Sequence, residues 1–208
     1  MNSTTAMVHS GAGSPAQRER RQRILEAAVA LASQGGFEQM QMRAVAERAD
    51  VALGTLYRYF PSKIHLLVCA LGSQLELACE RFERSAIPGD TAADRVVHVL
   101  GRTTGTLQRD PRLTEALTRA FMFADATVAS EIAVVEQQVL RMLMTSMRAP
   151  GATSASSSSS TGPTEDETAI IRVIGDVWLS SLVQWVTGRA SADDVARSLD
   201  VAVRLLLR

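Results

Sequence analysis

Helix-start and helix-stop signals recur along this chain from end to end, and they leave little room for other secondary structure. Ser14-Pro15 is an N-cap followed by proline at the first helical position, and Gly35-Gly36 closes that helix. Thr91-x-x-Asp94, Thr164-x-x-Glu167 and Ser191-x-x-Asp194 follow the capping-box spacing, in which hydroxyl and carboxylate each accept the other residue's backbone N–H. Ser62 and Asp110-Pro111 supply two further starts. Between these marks the apolar residues repeat every three to four positions, as Ile24, Leu25, Ala28, Leu31 and Ala32 do. No stretch alternates apolar and polar as a strand would. The expected fold is all-α, with about nine helices over roughly 15–34, 42–49, 53–59, 63–85, 92–108, 111–125, 127–147, 165–187 and 192–208.

Two stretches fall outside this pattern. Residues 1–13 read as a disordered tail without the layout of a signal peptide, and 149–163, with serines at 156–160, reads as a flexible linker. No apolar run approaches the roughly 18 residues of a membrane helix, so a cytoplasmic protein without membrane contact is expected.

Charge narrows the function classes. The formal net charge is zero, which removes a global signature for nucleic acid. The first 65 positions nevertheless carry eight basic and five acidic residues, against 14 and 17 in the remainder. Arg18, Arg20, Arg21 and Arg23 crowd the opening turns of the first helix, so the positive field lies at the N-terminal end. No Ser/His/Asp or Cys/His grouping and no glycine-rich phosphate loop is visible, so no enzyme and no cofactor are expected. His9, His65 and His98 lie scattered, and no metal site is expected either. Cys69 and Cys79, ten positions apart on one helix, would be about 15 Å apart, beyond the roughly 7 Å that a disulfide spans.

Residues 42–60, MRAVAERADVALGTLYRYF, have helix-turn-helix spacing. Ala46 is small where two helices cross, Asp50 sits where the turn needs positive φ, and Leu56 plugs the junction. The second helix leaves Thr55, Tyr57, Arg58 and Tyr59 for base edges and phosphates, with Tyr59 the more buried tyrosine. Gly54 lets backbone approach a phosphate. Arg43 joins the candidate DNA contacts, as does Lys63, the sole lysine, beside the free N–H groups of the next helix. The same spacing also serves a purely architectural helix pair, and the residues alone leave both readings open.

The stretch from Val45 to Lys63, ending GTLYRYFPSK, resembles the signature of TetR-family repressors. Ala52 and Asp50 depart from it, standing where a Ser/Thr cap and a glycine are usual. More widely, SPAQRERRQRILEAA, ADVALGTLYRYFPSK, LTEALTRAFMFADA and DVWLSSLVQWVTGRAS are similar to the KstR-type repressors of actinobacterial cholesterol catabolism. The resemblance implies a helix-turn-helix DNA-binding domain over 14–62 and a ligand-binding and dimerisation domain over 63–208. It further implies a homodimer on double-stranded palindromic operator DNA, released by a small-molecule inducer, a sterol-type acyl-CoA. A regulator of another lipid, acyl-CoA or drug-response pathway shares every local feature and stays open.

Within the second domain, Leu113, Leu117, Phe121, Met122, Phe123, Met142, Met147, Trp178 and Trp185 are candidates for an adaptable apolar pocket. Val177, Leu182, Leu199, Val203 and Leu206 are candidates for the dimer interface, on faces that equally suit an ordinary core.

Overall fold

The computed structural model describes residues 14–148 and 163–208, so the expected tail at 1–13 and all but Pro163 of the expected linker lie outside the described residues. Nine α-helices and one 3-10 turn occur among them, with no strand: α1 (Pro15–Gln39), α2 (Met42–Arg48), α3 (Leu53–Tyr59), α4 (Lys63–Glu83), α5 (Ala92–Gln108), α6 (Pro111–Met122), the turn Ala126–Val128, α7 (Ala129–Met147), α8 (Glu165–Val186) and α9 (Ala192–Leu206). All four boxes at Ser14, Thr91, Thr164 and Ser191 close reciprocally.

The boundaries of α1, α6 and α9 are among those that differ from expectation. α1 runs on to Gln39, but Gly36 breaks its geometry at φ 66° and ψ −167°, so the chain turns where the glycine pair stands. α6 stops at Met122 rather than near 125, because the Asp125 side chain accepts from Thr127 N–H at 2.8 Å and starts a new turn. α9 ends at Leu206, two residues before the C-terminus.

α1, α2, α3 and the start of α4 share a small core of Ile24, Ala28, Val45, Ala46, Leu56 and Phe60, each at most 3% exposed. α6 and α7 pack against the rest of α4, α5 and α8 pack against α6 and α7, and α9 packs against α5 and α8, the most extensive contacts running between α4 and α7 and between α1 and α6. Arg95 lies buried in α5 with no carboxylate partner among the described residues, donating to the carbonyls of Gly89, Ser146 and Met147. Its charge thus sits at the negative end of α7 and satisfies the orphan acceptors there. α8 is the one described helix long and apolar enough to cross a membrane by length and composition. Arg172 and Asp176 divide its apolar stretch, so no uninterrupted apolar run marks it in the sequence. In the fold α8 packs against α6, α7 and α9.

Candidate functional site: a reading head and an apolar cavity

At the α2–α3 turn Asp50 has φ 53°, the one positive φ outside glycine among the described residues. Val51 N–H returns to the Ala46 carbonyl at 3.0 Å, which fixes how α3 leaves α2. Ala52 supplies no side-chain cap, and its carbonyl accepts from Thr55 and Leu56 N–H instead. A seven-residue helix cannot hold itself together. Leu56, fully buried, anchors it, and its truncation to alanine costs about 2–5 kcal/mol.

With Leu56 inward, the other side of α3 is free. Tyr57 is 46% exposed, Gly54 and Arg58 are exposed, and Thr55 and Tyr59 are half-buried. Tyr59 leans on Phe60, ring centroids 6.3 Å apart. Beyond its chain neighbours and its own helix backbone, a Cβ built on Gly54 meets no atom within 4 Å among the described residues, so packing inside the chain does not require this glycine. Arg43 projects from α2 and pairs with Glu47 at 3.0 Å. Lys63 differs from its expected role as a free phosphate clamp. Its ammonium lies 4.2 Å from the Phe37 ring centre, and burial lowers its pKa below the usual lysine value, with Glu38 acting the other way.

The body holds a cavity of about 410 Å³, inside the roughly 300–1,000 Å³ range of small-molecule sites. α4 contributes Leu71 and Leu75, α6 contributes Leu117 and Phe121, and α8 contributes Trp178 and Leu182. The indole N–H of Trp178 donates to Thr104 Oγ1 at 2.9 Å, which fixes the ring and satisfies a buried donor. Glu136, Arg172 and Asp176 are exposed lining residues and give the cavity a charged rim.

Of the pocket candidates, the fold brings Leu117, Phe121 and Trp178 together and leaves the others off the lining. Met142 is buried between α7 and α5, where Thr103 Oγ1 approaches its sulfur at 3.7 Å. Met122, the last residue of α6, and Phe123, its C-cap, are 50% and 68% exposed. Leu113, Met147 and Trp185 pack partly buried against the core elsewhere. Weighting methionine and phenylalanine missed Leu71 and Leu75, whose four-residue spacing on α4 was the available signal. The dimer candidates also need correction. Leu199 and Val203 are sealed inside the protomer, where α9 meets α5 and α8, and Leu182 faces the cavity. Val177 and Leu206 remain partly buried, while the exposed apolar side chains of α8 and α9 are Val173, Val201 and Leu205.

Head and cavity meet through α6. Thr114, Leu117, Thr118 and Phe121 line the cavity with one face of this helix. Arg112, Glu115 and Arg119, on another face, hold the end of α1. Arg112 donates to the Gln34 carbonyl at 2.6 Å, Glu115 accepts from Phe37 N–H at 3.1 Å, and Arg119 pairs with Glu38 at 2.7 Å. Arg119 also lies 4.6 Å from the centre of the Phe37 ring that Lys63 covers. Gly36 is needed here, because φ 66° combined with ψ −167° is a conformation that L side chains rarely adopt, and a Cβ would stand 3.2 Å from Glu115 Oε2.

Two family models match separate parts of the chain. Residues 24–68 match "Bacterial regulatory proteins, tetR family", and residues 89–206 match "Tetracyclin repressor-like, C-terminal domain". The HTH-type transcriptional repressor KstR of Mycolicibacterium smegmatis is 53% identical over 207 residues, covering 100% of this chain and 96% of that protein. The protein of the same name from Mycobacterium tuberculosis is 52% identical, covering 97% of this chain and 86% of its own length. Among solved structures, a TetR transcriptional regulator from Rhodococcus sp. RHA1 superposes with a TM-score of 0.81 at 32% identity, covering 92% of this chain and 97% of that one. The regulator FadR of Bacillus subtilis, solved in complex with stearoyl-CoA, shares the fold at 18% identity with a TM-score of 0.60, covering 89% and 97%.

Proposed function

Because this chain belongs to the TetR family of bacterial regulatory proteins, with KstR repressors among its relatives, we propose that it represses sterol-catabolism genes and is released by a sterol-derived coenzyme A thioester. It is a ligand-responsive repressor in which α3 enters the major groove, Tyr57, Thr55 and Arg58 reach bases and phosphates, and Arg43 adds a flanking contact. It works as a homodimer, since one short recognition helix binds weakly and two on a palindrome bind as a linked pair. The exposed Val173 of α8 and Val201 and Leu205 of α9 supply that interface, together with Val177 and Leu206.

The observation that carries the regulatory reading is the two-sided role of α6. A ligand that fills the cavity presses on Leu117 and Phe121, and the same rigid helix carries Arg112, Glu115 and Arg119 against α1. α4 offers a parallel route from Leu71 and Leu75 to Lys63. The head separation that fits successive grooves is one state, and the ligand-filled body favours another. The apolar lining suits a steroid or acyl skeleton, while the nucleotide part of a thioester lies outside, past Arg172. The fold accommodates such esters in at least one protein, the stearoyl-CoA complex.

Isothermal titration of a sterol-derived coenzyme A thioester into free and operator-bound dimer tests this. Tighter binding to free protein by a coupling of about 1–3 kcal/mol is expected. Equal affinity for the two forms overturns the mechanism. A fatty-acyl thioester that couples where the sterol ester does not moves the protein to another lipid pathway.

A further inference from the structure

His65 and Cys69 stand one turn apart on α4, and Glu131 reaches them from the first turn of α7. The sequence shows no metal-ligand spacing here, because the third partner lies far along the chain. The His65 Nε2 is 3.1 Å from Glu131 Oε1, and one ligand atom from each of the three residues lies within 4.8 Å of the others. We propose that these three side chains form a zinc-class cation site that ties the base of the reading head to the wall of the cavity.

The donor set suits a borderline-soft divalent metal, since thiolate, imidazole and carboxylate are all common zinc ligands. Tetrahedral zinc, with bonds of about 2.0–2.3 Å, places its ligand atoms roughly 3.3–3.6 Å apart, within small side-chain rotations of the arrangement present. The orienting contacts exist already. Ser130 Oγ donates to Glu131 Oε2 at 2.7 Å, leaving Oε1 toward His65, and the Phe60 ring packs 5.9 Å from the imidazole. His65 Nδ1 is buried with no hydrogen-bond partner among the described residues, so no other contact fixes its tautomer.

The side chains of His65 and Glu131 are 16% and 23% exposed, which leaves an approach for the ion and a water as fourth ligand. On binding, the thiol gives its proton to solvent, and thiolate plus carboxylate balance the ion's two charges. Arg21 is the cation facing the thiol, and it rests 5.4 Å from the centre of the Phe60 ring. With metal bound, α4 just beyond Lys63 is clamped to α7, whose Val135 and Val139 line the cavity.

The test is cobalt titration of full-length, chelator-treated protein, which does not depend on DNA or inducer. Saturation at one cobalt per chain, with tetrahedral d–d bands and a thiolate charge-transfer band that zinc bleaches, is expected. Cys69→Ser removes the charge-transfer band. Glu131→Gln weakens cobalt binding by about 10–100-fold or more. Cys79→Ser, at the other cysteine, leaves the spectrum unchanged, and far-UV circular dichroism confirms that each variant is folded. Octahedral bands alone, a charge-transfer band that survives Cys69→Ser, or one that disappears with Cys79→Ser overturns the site.

Discussion

Replacing Gly54 by alanine separates what the protein needs for its own folding from what it needs for DNA. Gly54 lies in the first turn of α3, exposed, and apart from its chain neighbours and own helix backbone no atom of the described residues lies within 4 Å of the Cβ that alanine would add. Nothing inside the chain is strained by the change. Alanine also loses less backbone freedom on entering a helix, a gain of up to about 0.5–1 kcal/mol. Stability is therefore expected to hold or rise, with the thermal midpoint higher by roughly 1–4 °C for a chain of this size. DNA binding moves the other way. If the α3 backbone meets a phosphate at Gly54, as proposed, the methyl group would stand between them, and losing one hydrogen bond to a charged group costs about 1.5–3 kcal/mol. That is roughly tenfold or more in operator affinity. Circular-dichroism melting and fluorescence-anisotropy titration with operator DNA at fixed salt read the two effects on one preparation. If Gly54→Ala binds operator as tightly as the parent, the phosphate reading of this glycine is wrong. A lower melting point would refute the packing argument instead.

Gly36→Ala should destabilise the fold by about 1–3 kcal/mol, since its φ/ψ region is essentially reserved for glycine; denaturant unfolding measures this, and a silent substitution would contradict it. Gly175→Leu places a side chain in the cavity that α7 and α8 enclose, and anisotropy should then show operator binding that the inducer no longer relieves. Leu205→Glu, on an exposed apolar position of α9, should shift the protein to monomer in size-exclusion chromatography and abolish operator retardation. The carboxyls of Asp94 and Asp194 are held below their usual value of 3.8, first by the cap hydroxyls of Thr91 and Ser191. Their contribution is fully present above the unfolded value and is lost as pH falls through the lower folded value. Melting scans should thus be flat near neutrality and fall off below pH 3.8, less steeply in Asp94→Asn.

Caps, the helix-turn-helix and the apolar periods are local features, and the sequence by itself determined them. A hydroxyl three residues before a carboxylate needs no distant partner, so Thr91, Thr164 and Ser191 started helices where expected. Ala46, Asp50 and Leu56 act within a dozen positions of one another, and the turn at Asp50 has the positive φ that its place required. Only the tertiary structure decided which apolar stripe faces which space. A leucine on α9 has the same period whether it meets a partner or its own protomer, and packing against α5 and α8 put Leu199 and Val203 inside. The cavity follows the same rule, since its walls come from five helices and Met142 and Trp178 were indistinguishable in one dimension. Lys63 over Phe37, the α6 contacts with α1, and Glu131 beside His65 all join residues distant in sequence. Such contacts are set by the directions in which whole helices pack, and no local period records them.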